Sequence, residues 1–307
     1  GYSGSTSSNP LFAINADGTD VEGFPYAVGE KVKAGVAVFD MDDNGIDDIV
    51  FGTDSDNIYV LLDDGTIAYN FPIDLGDKIQ SEPAIYDTGS EKIILTGCKN
   101  NNFYAINYND GSLRFTIPTG DDIFTSPSFN DNNIYFGSDD GNVYAVDING
   151  NLLDGYPLNV GSAIVGSIVF YDITGDGFSN MIFGTSSGEV FAYDSQLGLL
   201  DHFPVNYEFP ISSSAQVVDV DSDNDMEIIV GTSGDLIAID YKDSIENQEE
   251  DGPWSLFKGD WKRSGYYLSD SSSFGDCEGP QLGDTNCDQI INVIDVISIM
   301  NMVLGDL

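Results

Sequence analysis

Apolar residues run along the chain in short strings, each closed by a glycine or a proline, and the strings return at a regular interval. The dipeptides Phe12-Ala13, Tyr59-Val60, Tyr104-Ala105, Tyr144-Ala145, Phe191-Ala192 and Ile237-Ala238 are spaced by 47, 45, 40, 47 and 46 residues. Ahead of the last five stands an apolar run ending in Gly52, Gly97, Gly137, Gly184 or Gly231, as in DIVFGT, KIILTG, NIYFGS, NMIFGT and EIIVGT. Behind most copies comes a turn glycine, at Gly18, Gly65, Gly111, Gly150 or Gly198, usually after Asp or Asn. Such pairs between apolar runs predict tight hairpins, because their residues tolerate positive φ. A strand ending at an aromatic–Pro pair follows, at Phe24-Pro25, Phe71-Pro72, Tyr156-Pro157 and Phe203-Pro204, with Ile117-Pro118 as the variant.

Each unit therefore predicts four short strands: a small-residue strand (SEPAIYD, TSPSFND, VGSIVFYD), the run ending in Gly, the aromatic–Ala strand and the strand ending in Pro. Four-stranded units repeated radially make an all-β fold, a β-propeller, whose crowded central channel suits small residues at the head of the first strand. A two-sheet sandwich is the alternative. Helical periodicity is absent until residue 292. Six copies of the second half-unit stand against five of the first, because the leading copy, LFAINADGTDVEGFPY, has nothing before it. Termini that share a blade remove exposed sheet edges, and GPWSLFKGDWKRSGYYL at 252–268 is the candidate partner of the leading copy. Six blades, the sixth assembled from both ends, is the favoured count; five complete blades with a spare N-terminal hairpin is the other.

Charge narrows the function. The 307 residues hold 52 Asp or Glu against 10 Lys or Arg, a formal charge of −42, so no basic stripe exists to bind nucleic acid or anionic lipid. With 41% hydrophobic residues spread evenly, the first 270 positions can bury a core. No run approaches 18 apolar residues, which argues against membrane insertion. The start at Gly1 carries no signal segment and reads as that of a processed or truncated product.

The acids are patterned. Asp40, Asp42, Asn44 and Asp48 fall at positions 1, 3, 5 and 9 of one loop, with Gly45 at position 6 and the Ile46 carbonyl at 7. The fourth unit repeats this with Asp172, Thr174, Asp176 and Asn180, Gly177 and the Phe178 carbonyl. The fifth has Asp219, Asp221, Asp223 and Glu227, with the Asp225 carbonyl. Alternate oxygens around a tight turn supply the six or seven hard ligands that Ca²⁺ takes, and Mg²⁺ suits such loops less well. Units two and three, IYDTGSEKI and FNDNNIY, have shortened loops without the pattern, so calcium is expected in three blades. Solvated acidic turns are the bland alternative. These residues resemble the FG-GAP and VCBS-type propeller repeats, found also in integrin α-chains, with motif D-x-D-x-D-G-x-x-D. The resemblance covers residues 1–268, closely at Asp40–Asp48 and more loosely in the other two loops. It implies an extracellular calcium-binding propeller, often adhesive.

After a Ser-rich linker at 269–276 comes a different module, 277–307, containing LGDTNCDQIINVIDVISIMNMVLG. Asp284, Asn286, Asp288, Asn292 and Asp295 take positions 1, 3, 5, 9 and 12 of an EF-hand-like loop, with the Ile290 carbonyl at 7 and an apolar helix expected after it. The module is similar to one repeat of a type I dockerin, and this resemblance implies a cohesin-like or scaffold partner. Only one repeat is present, and Gln289 replaces the glycine of position 6. A calcium-stabilised cap is the alternative. Of three cysteines, Cys277 and Cys287 stand ten residues apart and are a candidate bridge in an oxidising compartment, which agrees with an extracellular or cell-surface location.

No catalytic constellation stands out. GTSSG at 184–188 fits the nucleophile turn G-x-S-x-G but occupies the same repeat position as GTDSD, GSDDG and GTSG. His202 is the only histidine. Three functions are therefore carried forward: a non-enzymatic propeller recognising a protein or glycan, a polysaccharide-active enzyme with carboxylates in its central funnel, and a structural subunit that self-assembles through its N-terminal hairpin.

Overall fold

The computed structural model describes residues 10–15, 17–194, 198–220, 226–242, 254, 257–259 and 264–268. Every regular element among them is a strand. They form six sheets in chain order. The leading hairpin pairs Pro10–Leu11 with Tyr26–Ala27. Unit one runs Ala37–Phe39, Asp48–Gly52, Asn57–Leu61, Ile73–Asp74, each antiparallel to the next. Unit two runs Ala84–Asp87, Lys92–Cys98, Asn102–Asn107, Leu113–Pro118. Unit three repeats the order from Ser128–Asn130 to Leu158–Asn159. Unit four runs Val169–Tyr171, Asn180–Gly184, Glu189–Asp194, with Gly198–Leu199 and Val205–Asn206 on its outer side. Unit five has three strands, Gln216–Val218, Met226–Gly231 and Leu236–Tyr241.

Both faces of each middle sheet are covered, so its second strand is buried end to end: all seven residues of Lys92–Cys98 are buried, Lys92 and Thr96 among them. Side chains alternate between neighbours. Ile94 joins the core shared with unit one, whereas Ile93 and Leu95 join the one shared with units three and four. Two further cores lie between the leading hairpin and unit one and between units four and five.

The repeated glycine at the end of the second strand has a steric cause. A Cβ on Gly52, Gly97, Gly137 or Gly184 would come within 2.2–2.5 Å of Cγ2 of Ile79, Ile123, Ile164 or Ile211, which enters the next unit. The amides of the same isoleucines donate to the carbonyls of Thr53, Cys98, Ser138 and Thr185. Serines at the heads of the first strands link the units further. Ser81 Oγ donates to the Thr125 carbonyl at 2.7 Å, the Ser126 amide to Ser167 Oγ at 3.0 Å and the Ser167 amide to Ser214 Oγ at 2.9 Å. The four aromatic–Pro bonds are cis, whereas Ile117-Pro118 ends a six-residue strand whose register shifts between Leu113 and Phe115.

Segment 252–268 departs from expectation. Its described residues do not complete a blade with the leading hairpin; they pair with the first strands of units two and four. Trp254 bridges antiparallel to Phe170, and its carbonyl accepts the Phe170 amide at 2.9 Å. Tyr266–Leu268 runs parallel to Ala84–Asp87. The physical reason is that a first strand has one edge free for hydrogen bonds, and the small Ala37 and Ala84 beside it leave room for rings. Tyr266 stacks on Phe39 at 3.9 Å and Tyr267 on Phe129 at 4.8 Å, while Trp254 meets Phe129 edge-on at 4.7 Å. Buried Lys258 bonds the Val36 carbonyl and pairs with Glu82 at 3.0 Å. Because Leu268 lies beside Asp87, the segment reaches the ring face that carries the loops between first and second strands.

Candidate metal centre

In unit one the first strand ends at Phe39, which faces Asp48 across the ladder, so both ends of the acidic loop are anchored on paired backbone. Asp48 is buried; its Oδ2 accepts the Met41 amide at 2.8 Å and its Oδ1 the Asp63 amide at 2.9 Å. Asp40 accepts the amides of Asn44 at 3.0 Å and Gly45 at 2.7 Å. The Asn44 amide also reaches Asp42 Oδ1 at 3.2 Å, and Asn44 Oδ1 takes the Ile46 amide at 2.8 Å. Gly45 turns at φ +89°, a conformation that a Cβ disfavours. The wrap brings carboxylate oxygens of Asp40, Asp42 and Asp48 within 4.8 Å of one another.

The electrostatics follow. Burial pushes the Asp48 carboxyl up to about 6, Asp42 and Asp63 add to the rise, and its two amide donors oppose it. Tyr108 is pushed up to about 12 by its own burial and then by Asp48, Asp42, Asp43 and Asp40. A divalent cation would relieve this crowding. The donors are all oxygen, which fits a hard ion such as Ca²⁺. Asp40, Asp42, Asn44 and Asp48 would hold it together with the Ile46 carbonyl, and the ion would supply the charge that lets three carboxylates remain ionised side by side.

Loop 172–180 reproduces the frame. Asp172 accepts the amides of Asp176 at 3.2 Å and Gly177 at 2.7 Å, and Asp176 Oδ1 takes the Phe178 amide at 2.9 Å. Buried Asn180 accepts the Ile173 amide at 2.8 Å, as Asp48 does that of Met41. Thr174 Oγ1 lies 3.2 Å from Asp172 Oδ1, and Gly177 turns at φ +88°. The set here is two carboxylates, a hydroxyl and an amide. In the fifth unit Asp219 and Glu227 are described, and Glu227 Oε2 accepts the Val220 amide at 2.6 Å, the same bond between positions 9 and 2. Asp221, Asp223 and Asp225 lie outside the described residues, as do Asp284, Asn286, Asp288, Ile290, Asn292, Asp295 and the Cys277/Cys287 pair.

The shortened loops are plain turns. Asp131 and Asn132 close unit three's hairpin with φ of +49° and +62°, and in unit two Asp87 Oδ1 takes the Gly89 amide at 2.7 Å. Three residues near the first loop were not singled out from the sequence: Asp63 on Asp48, Tyr108, and Lys92, which crosses from unit two to the Met41 carbonyl at 3.0 Å and Asp43 at 2.5 Å. Their only sequence signal is their place at the ends of neighbouring strands. Ser187, of the GTSSG turn, donates to Glu189 at 2.7 Å. His202 is exposed at φ +72°, the repeat position held by Gly23, Asn70 and Gly155; it is a turn residue.

No family model and no curated protein sequence matches the chain. Solved structures do. BBS1N, crystallised in complex with ARL6DN, is similar at a TM-score of 0.52 and 16% identity, over 73% of this chain and 68% of that one. BamB from Moraxella catarrhalis gives 0.51 at 14%, over 78% and 72%, and Sqt1 from Saccharomyces cerevisiae 0.53 at 11%, over 68% and 59%. These are β-propeller proteins, and at such identities the likeness is one of fold. With six sheets following one another along the chain and these neighbours in fold, the described residues form an all-β, propeller-type chain.

Proposed function

We propose that this chain is an extracellular or cell-surface calcium-binding propeller of the FG-GAP/VCBS type, displaying its loop face to a protein or glycan, with residues 277–307 as its attachment to a cohesin-like or other scaffold. The observation that carries the reading is the convergence of Asp40, Asp42 and Asp48 inside a hydrogen-bond frame repeated at 172–180. The protein partner that BBS1N holds in its crystal supports a recognition role for the fold. Calcium would act here structurally. It fixes loops that otherwise repel themselves, and so fixes the surface they present.

A direct test counts ions by native mass spectrometry in excess Ca²⁺. Three propeller ions and one in the C-terminal module are expected; a metal-free spectrum, with melting unchanged by chelator, ends the proposal. Deleting 277–307 should leave the ring folded but release it from its native assembly in a calcium-dependent way, and equal retention makes the module a cap. Self-assembly is the second reading, favoured by exposed Phe12 and Ile14 on the leading hairpin and Leu236 on the outer strand of unit five. Light scattering that reports a monomer at high concentration removes it.

A further inference from the structure

The described residues of 254–268 meet four units. The Trp254 carbonyl accepts the Phe170 amide of unit four at 2.9 Å. The Ser264 carbonyl accepts the Val38 amide of unit one at 3.0 Å, and the Gly265 carbonyl the Ile85 amide of unit two at 2.6 Å. The Tyr267 hydroxyl takes the Asn132 amide of unit three at 3.2 Å and donates to Asn132 Oδ1 at 3.0 Å. Lys258 is 4% exposed. Its ammonium donates to the Val36 carbonyl, just ahead of unit one's first strand, and pairs at 3.0 Å with Glu82, just ahead of unit two's.

These contacts belong to one packed piece. Gly259 lies against Trp254 so closely that a Cβ there would come within 2.4 Å of the indole. The Gly265 amide donates to the Lys258 carbonyl at 3.3 Å, which ties the turn at Lys258 to the strand Tyr266–Leu268. Trp254 and Tyr267 share one ring of unit three, Phe129, the first edge-on at 4.7 Å and the second stacked at 4.8 Å. Repeated units that touch only their neighbours pass a disturbance along step by step. Here a single segment joins unit four directly to units one and two.

We propose that the described residues of 254–268 act as one cooperative clasp on the first strands of units one to four, so that the blades are coupled by this segment and the C-terminal module that follows it in sequence pulls on four units at once. The final step rests on the attachment reading; the clasp does not. The amides of Val38, Ile85 and Phe170 report on it, since each bonds to the clasp from a different unit. In the full chain with excess Ca²⁺, Lys258→Met touches the contacts with units one and two, yet should speed hydrogen exchange at Phe170 by at least about tenfold. Trp254→Ala, at the unit-four end, should speed exchange at Val38 and Ile85 to a similar degree. In both variants the amides of Asp48–Gly52 should change by less than about twofold. If Lys258→Met speeds only Val38 and Ile85, and Trp254→Ala only Phe170, the contacts are separate and the clasp is overturned. Acceleration shared equally by Asp48–Gly52 overturns it too, because the variants would then act on the whole fold. If the three amides respond together while a chain lacking 277–307 stays on its native assembly, the attachment reading fails and the clasp stands.

Discussion

The loops at 40–48 and 172–180 share one hydrogen-bond frame but not one charge. At ligand positions the first brings three carboxylates together, with Asp48 buried at position 9 and its carboxyl pushed up to about 6. The second has Asp172 and Asp176 there, with neutral, buried Asn180 at position 9. The buried position 9 is where they diverge most. Asn180 takes the Ile173 amide through its side-chain oxygen and gives its own N–H to Asp194 at 3.1 Å, so it needs no counter-charge. Asp48 has amide donors only on its two oxygens. The difference teaches that backbone bonds give the loop its shape, while the number of carboxylates sets how much like-charge repulsion that shape has to withstand.

Stripping all calcium tests both loops at once and has the largest expected effect. A site held at a hundred times its Kd adds about 2.7 kcal/mol, and each kcal/mol is about 2–4 °C in a ring of this size, so melting should fall by at least about 10 °C in chelator. Calcium should restore it better than magnesium. An unchanged calorimetric trace would break the comparison outright.

Removing position 1 separates the loops. Asp40→Ala and Asp172→Ala should each lose one ion in native mass spectra, and Asp40→Ala should lose more stability, because it leaves Asp42 and Asp48 crowded. Asp87→Ala, in a plain turn, should lose no ion. Equal losses from all three would show that the repeat alignment is wrong.

Exchanging position 9 sharpens the point. Asp48→Asn keeps one of the Met41 and Asp63 amides on its single side-chain oxygen but turns its NH2 toward the other, so it should lower stability somewhat and weaken calcium at that loop by about tenfold. Asn180→Asp should tighten the other loop while lowering metal-free stability. Titration calorimetry that finds both affinities unmoved would show that position 9 is structural only.

The smallest effect comes from a buried carboxylate outside any such loop. Burial raises the Asp139 carboxyl, Asp121 and Asp122 add to the rise, and its Oδ1 is buried without a hydrogen-bond partner. A carboxyl raised in the folded state disfavours folding where it is ionised, above its folded pKa, and has no such effect once it is protonated in both states, below its ordinary value of 3.8. Asp139→Asn should therefore raise melting by about 2–4 °C at pH 7, with the gain gone near pH 3.5 and indifferent to calcium. A gain that vanished on adding calcium would place Asp139 in an unrecognised ion site.

The sequence alone determined what is local and repeated. Strand order within a unit, the turn at position 6 and the alternation of ligand positions depend on residues a few places apart, and each recurs at a spacing that can be read by eye. It could also show that Gly52, Gly97, Gly137 and Gly184 recur, but not that each accommodates an isoleucine entering the next unit. Only the tertiary structure decided contacts between distant residues. Tyr266 meets Asp87 across 179 positions and Lys258 meets Val36 across 222, where neither partner belongs to a repeated pair. The same holds for 252–268 as a whole: its apolar and aromatic residues mark it for burial and point to the leading hairpin as partner, whereas nothing along the chain marks the free edges of the five first strands as the other choice. Packing on those strands chose between them, because the rings of Trp254, Tyr266 and Tyr267 stack there against Phe39 and Phe129, and no pattern along the chain encodes that fit.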